Sequence, residues 1–239
     1  MTNILPSMPY PVPITDIQGA SFQQLYELIL EGNRQFNLTR ITDPQDFWEK
    51  HLWDSLRGVA PQGRLIPSLL EGASVIDVGT GAGFPGVPVA IASPNCPVTL
   101  VDATRKKITF VEKILATLPL ANANTVVGRA EEIGQQSQHR QIYDIALIRA
   151  VGTASACAEY TLPLVKQGGL AVIYRGNWTQ GETTALDYAA QQLGGVIESI
   201  EQFTTPLSQS TRHCLYLRKV DTTPAKFPRT AGVPGLKPL

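Results

Sequence analysis

Apolar positions change their period along this chain, and the changes divide it. Phe22, Leu25, Tyr26, Ile29 and Leu30 recur at spacings of three and four, which predicts one apolar stripe on a helix that Gly32 helps to close. Asp43-Pro44-Gln45-Asp46 carries an N-cap residue, a proline in the first turn and an acid beside it. Phe47, His51, Leu52 and Leu56 then hold the helical period to Arg57, and Gly58 and Pro61 end it. From Ala73 onward the pattern turns to short β-branched runs: 74–78, 98–102, 125–127, 143–148 and 170–174. Helical stretches near 85–92, 105–118, after Ala130 and over 154–166 separate them. Such alternation requires a mostly parallel sheet with helices on both faces. After a helix over 182–193, runs at 196–203 and 213–218 leave no room for a crossover and should pair antiparallel, making seven strands. The expected divisions are an N-terminal helical extension over 1–70, a sheet domain over 71–220 and a basic, proline-rich tail over 221–239.

Composition narrows the class without naming a function. The 239 residues are 43% hydrophobic and 17% charged, which fits a folded chain and excludes wholesale disorder. No run reaches the roughly 18 apolar residues of a membrane span. Residues 1–18 lack Lys and Arg and are broken by four prolines, unlike a signal peptide, so a cytoplasmic location is expected. Cys96, Cys157 and Cys214 lie far apart, which suggests small core residues rather than disulfides or a metal site. Net charge is zero but uneven. From Arg212 onward six basic residues face Asp221 alone, and Arg105-Lys106-Lys107 forms a second cluster. Such clusters suit phosphate, or are simply a solvated face.

The chemistry concentrates in Asp77-Val78-Gly79-Thr80-Gly81-Ala82-Gly83-Phe84-Pro85-Gly86, a glycine-dense turn between a strand and a helix. In open α/β sheets ligands bind beyond the carboxyl ends of the strands, and glycine lets backbone approach them closely. Gly81 to Gly86 also reads G-x-G-x-x-G, so a dinucleotide competes. Asp77 argues against it, because a carboxylate at the strand tip would repel a pyrophosphate. S-adenosylmethionine has a sulfonium and no phosphate, and would tolerate the acid. Asp102, at the next strand end, suits ribose hydroxyls in either case. Small and acidic residues over Val127 to Glu132 mark the place for adenine. A nicotinamide-dependent oxidoreductase, a non-catalytic binding protein that kept the fold and a small-molecule methyltransferase are the rival classes.

The set Asn37-Leu38-Thr39, His51 to Leu56, Asp77 to Pro88, Asp102 to Lys107, Gly128 to Glu131, Ile148-Arg149-Ala150, Arg212-His213 and Lys226 to Arg229 closely resembles the bacterial 16S ribosomal RNA guanine-N7 methyltransferases, the RsmG or GidB family. The resemblance implies an α/β, class I S-adenosylmethionine-dependent, Rossmann-like methyltransferase with a seven-stranded sheet. It implies that Gly79 and Phe84 line the donor, that Asp102, Ala103 and Thr104 hold its ribose region, that Ala130 and Glu131 flank adenine, and that Arg149 reaches the site. Lys106, Arg129, Arg175 and Arg212 match positions the family keeps basic, with Arg175 where some members carry lysine. The implied partner is 16S rRNA or the small ribosomal subunit, with no metal and a monomeric protein.

Guanine N7 has a lone pair and no proton to lose, so its methylation needs alignment rather than a general base. Arg149-Ala150 stands where amine methyltransferases carry an Asn/Asp-Pro-Pro-aromatic turn. Arg149 also has a plainer reading, as a bridge to Asp77 or Asp144. His51 and Asp54, three apart on a helix, either orient substrate or are satisfied structural residues. Asn37 and Thr39 read as turn residues, and Tyr10, Tyr26, Trp48 and Trp53 as core. The N-terminal helices are expected to form a lid over the donor and part of the RNA platform.

Overall fold

The computed structural model describes residues 4–239 apart from 7, 37, 38, 64, 67, 68, 70, 71 and 119. Asn37 and Leu38 therefore lie outside the described residues. A single seven-stranded sheet runs in the order β3-β2-β1-β4-β5-β7-β6. Its strands are β1 (Val75–Val78), β2 (Val98–Asp102), β3 (Ala123–Val127), β4 (Tyr143–Arg149), β5 (Val165–Arg175), β6 (Gly195–Thr204) and β7 (Thr211–Lys219). The first five pair in parallel, and β7 lies antiparallel between β5 and β6. Strands β1 and β2 are buried along their whole length, as central parallel strands must be when helices cover both faces.

Helix α1 (Asp16–Phe36) runs through Gly32 instead of closing there. Close packing explains the glycine: a Cβ on it would lie 2.0 Å from Cε2 of Phe110, on α5 (Arg105–Thr117). Between α1 and β1, helix α2 (Pro44–Phe47) begins at Asp43, whose Oδ1 accepts from the Gln45 and Asp46 amides. It continues through a π-helical segment, Trp48–Trp53, into α3 (Asp54–Arg57). Buried side chains of this stretch, including Phe47, Trp48, Leu52 and Leu56, share one apolar core with Leu100, Leu147 and Val172 from the sheet. Tyr26 is buried in that core too, while Tyr10 and Trp53 pack against it partly exposed. Two phenols bolt α3 to the sheet: Tyr174 Oη donates to the Ser55 carbonyl at 2.7 Å and Tyr216 Oη to that of Gly58 at 3.1 Å.

The remaining helices are α4 (Gly86–Ala92), α6 (Ala130–Ile133), α7 (Ala154–Thr161), α8 (Gln180–Gln192) and α9 (Val233–Leu236). Helix α7 ends well short of the expected 166 because Pro163 has no amide to continue the ladder, and β5 has begun by Val165. Helix α8 starts two residues before Glu182, at a capping box in which Thr179 and Glu182 bond each other's backbone. The tail is a strap rather than a loose end, with Phe227 buried against the second face of the sheet. All three cysteines are buried, and no described helix is long and apolar enough to cross a membrane.

Candidate active site

A cavity of about 700 Å³ opens at the carboxyl ends of β1, β2, β3 and β4. Three glycines with positive φ, Gly79, Gly81 and Gly83, fold the turn after β1 back on itself. Asp77 ties this turn together from beneath. Its Oδ2 accepts from Thr80 Oγ1 at 2.6 Å and from the Gly86 amide at 2.8 Å, and a side chain at Gly86 would occupy that space. Asp77 has no exposed surface and does not line the cavity, so the strand-tip acid that argued against a pyrophosphate is a structural tie of the turn. Burial pushes its carboxyl up to about 6 against those hydrogen bonds.

Asp102 at the tip of β2 does face the cavity. Its oxygens accept from the Gly81 amide at 3.1 Å and the Thr104 amide at 2.8 Å, with Lys107 Nζ 3.5 Å away. Gly79, Phe84, Asp102, Ala103, Ala130, Glu131, Arg129, Arg149, Arg175 and Arg212 all line the same space. Thr104 and Lys106 do not. Thr104 contributes through its amide to Asp102, and Lys107 rather than Lys106 borders the cavity. Glu131 is nearly buried, with Oε1 accepting from Arg129 Nη2 at 2.9 Å and from the Gly232 amide at 2.7 Å. Those bonds hold its carboxyl below the usual range despite burial.

Arg149 is a bridge, but to neither expected acid. Its Nη1 donates to Asp54 Oδ2 at 2.9 Å and to the Lys50 carbonyl at 3.1 Å, and its guanidinium lies 5.8 Å from the Phe84 ring centre. His51 stacks on Phe84 at 4.3 Å, with Nε2 3.0 Å from Thr39 Oγ1 and Nδ1 3.5 Å from Arg149 Nη2. Burial, with Arg149 and Lys50 nearby, lowers His51 to about 3, so the imidazole is neutral at pH 7. Thr39, Ile41, Lys50, His51, Asp54, Tyr160 and Tyr174 also line the cavity. Of these, only His51 and Asp54 are candidates for substrate contact in the sequence; Thr39, part of the Asn37-Leu38-Thr39 stretch, reads there as a turn residue, and the others arrive by packing that no local motif announces. Arg175 is engaged by the Gly152 carbonyl at 2.8 Å and by Glu182 at 3.6 Å.

These residues suit S-adenosylmethionine. The amide that opens α4 already donates to the chain's own Asp77, so the place where a dinucleotide fold seats a pyrophosphate is taken by a carboxylate. The cavity keeps an outward carboxylate, Asp102, for a diol, and small residues, Gly128 and Ala130, where a flat ring needs room. Together with the antiparallel β7 insertion, this defines a class I S-adenosylmethionine-dependent methyltransferase. The fold is similar to that of a 16S rRNA (adenine(1408)-N(1))-methyltransferase from Catenulisporales acidiphilia, at TM-score 0.53 and 16% identity over 65% of this chain and 92% of that one. It is also similar to M. jannaschii TYW2 in complex with AdoMet, at TM-score 0.50 and 14% identity over 63% and 70%.

Sequence takes the assignment further. The model of the GidB family, rRNA small subunit methyltransferase G, matches residues 18–215. A Nostoc sp. protein named ribosomal RNA small subunit methyltransferase G is 70% identical over the whole of both chains, and one from Trichodesmium erythraeum is 55% identical over 93% of this chain and 87% of its own. The chain belongs to the GidB family of small-subunit rRNA methyltransferases.

Proposed function

We propose that the protein transfers the methyl group of S-adenosylmethionine to N7 of a guanine in 16S rRNA, acting as a monomer in the cytoplasm on naked RNA or the small subunit. One observation favours a ring nitrogen such as N7 over an exocyclic amine: none of the described acids and bases around the cavity is free to take a proton. His51 is neutral but pinned between Thr39, Arg149 and Phe84. Asp54 holds Arg149, Asp102 holds the loop amides, and Glu131 holds Arg129 and Gly232. Exocyclic amines shed a proton on methylation, whereas a guanine N7 lone pair attacks the sulfonium methyl without one. Catalysis by this site is therefore positioning.

In this reading Gly79, Phe84, Asp102, Ala103, Thr104, Ala130, Glu131 and Arg149 serve the donor, Thr104 through its amide and Glu131 through the wall it braces. Lys106, Arg129, Arg175 and Arg212 serve RNA, mostly its phosphates. Arg212 lines the cavity with no ion-pair partner among the described residues, and Lys106 is exposed at the start of α5. The decisive experiment supplies labelled donor with small subunits from a strain lacking this gene. The expected result is label on one 16S guanine that becomes open to borohydride and aniline cleavage; label on an adenine or an exocyclic amine overturns the assignment. Arg212→Ala and Lys106→Ala should each weaken RNA binding and reduce the salt slope by about one, leaving donor affinity unchanged.

A further inference from the structure

Residues 222–239 make a relay of contacts that ends at the cavity wall. Arg140 donates to the Thr223 carbonyl at 2.9 Å and the Phe227 carbonyl at 2.8 Å, and the Gln135 amide donates to Pro228 at 2.8 Å. Glu159 on α7 has a side chain with no exposed surface and spends both oxygens on Arg229. Oε1 accepts from the backbone amide at 2.7 Å and from Nε at 3.0 Å, and Oε2 accepts from Nη2 at 2.6 Å. Three residues on, the Gly232 amide donates to Glu131 Oε1. A Cβ at Gly235 would stand 3.3 Å from the Tyr160 hydroxyl, so the last turn also lies against Tyr160. Arg129, Glu131 and Tyr160 line the cavity, while Arg229 and Glu159 do not.

We propose that the strap is a working part of the donor site, with Arg229 as a positioning residue: locked onto Glu159, it holds the Gly232 amide against Glu131 and so fixes the wall from Gly128 to Glu131. A buried carboxylate must keep its partners. Without Gly232, Glu131 retains Arg129 alone and both side chains are released to turn toward the cavity or solvent. Coupling of this kind is reciprocal, so a donor that uses the wall must in turn hold the strap down. The inference rests on the donor occupying this cavity as proposed above.

The test titrates S-adenosylmethionine calorimetrically into the full chain, Arg229→Ala, Arg229→Lys and a chain ending at Ala231, which keeps the Arg229–Glu159 pair and loses the Gly232 tether together with α9. Trypsin cleavage after Lys226 and Arg229 is followed with and without saturating donor. Arg229→Ala and the shortened chain should bind donor about tenfold more weakly, with partial rescue in Arg229→Lys. With donor saturating, kcat should stay within about threefold of wild type, and donor should slow both cleavages severalfold. A merely structural strap lowers the melting temperature without this split between KM and kcat. Wild-type donor affinity in the shortened chain, or cleavage indifferent to donor, overturns the proposal. Failure of the wild type itself to bind donor removes the cavity reading along with it. Should Arg229→Ala not fold, the shortened chain and the protection of the wild type decide the matter.

Discussion

The tips of β1 and β2 carry the same side chain in neighbouring parallel strands and put it to opposite uses. Asp77 pairs in register with Leu100, one position before β1 ends, and its carboxylate turns beneath the glycine turn and is sealed there. Asp102 is the last residue of β2, two positions beyond Leu100 and so two further along than Asp77, and its carboxylate faces the cavity. Side chains two positions apart share a face, so the two carboxylates point the same way, and depth from the strand end separates an internal tie from a ligand-facing acceptor. The first gives the turn its shape; the second uses that shape.

Substitution should separate the two roles. Asp77→Ala strands the Thr80 hydroxyl and the Gly86 amide in the interior and leaves a hole, so thermal or urea unfolding should show a loss of about 2–4 kcal/mol together with lost donor binding. Asp102→Ala should cost less in stability than Asp77→Ala but weaken donor binding by about 10- to 100-fold, the worth of hydrogen bonds to a charged acceptor. Equal stability losses from the two would erase the distinction. A finer effect is pH-dependent. The folded-state carboxyl of Asp77 is raised from 3.8 to about 6, so the native state holds this proton more tightly than the unfolded chain. Its contribution is fully present below pH 3.8 and declines as pH rises through 6, by about 3 kcal/mol in all. The difference between wild type and Asp77→Asn in urea denaturation should fall across that window. The smallest effect belongs to Lys107→Ala: its ammonium is 3.5 Å from Asp102 and half exposed, so stability should change by less than about 0.5 kcal/mol.

Most of the architecture was legible because the signals were local. Strand runs, the Asp43 cap and the glycine turn each follow from a few adjacent residues, and the seven strands appear where the apolar period predicted them. What was illegible depends on distant partners. Gly32 reads as a stop until Phe110 is placed against it. Lys106 and Lys107 are indistinguishable in sequence, and the phase of α5 alone decides which borders the cavity. Glu131 reads as a ligand contact from its neighbours, yet its bonding partner Gly232 lies 101 residues away. Arg149 likewise finds Asp54, 95 residues earlier, instead of an acid near it in the sheet.

The two tyrosines that join the sheet to α3 bear on how ligands come and go. Swinging the segment that carries His51 and Asp54 outward would break both phenol contacts and open the apolar seam around Trp48 and Leu56. A hinge at that place would have to undo part of the protein's main core at every turnover. Amide protons of α3 should therefore exchange only on the timescale of global unfolding.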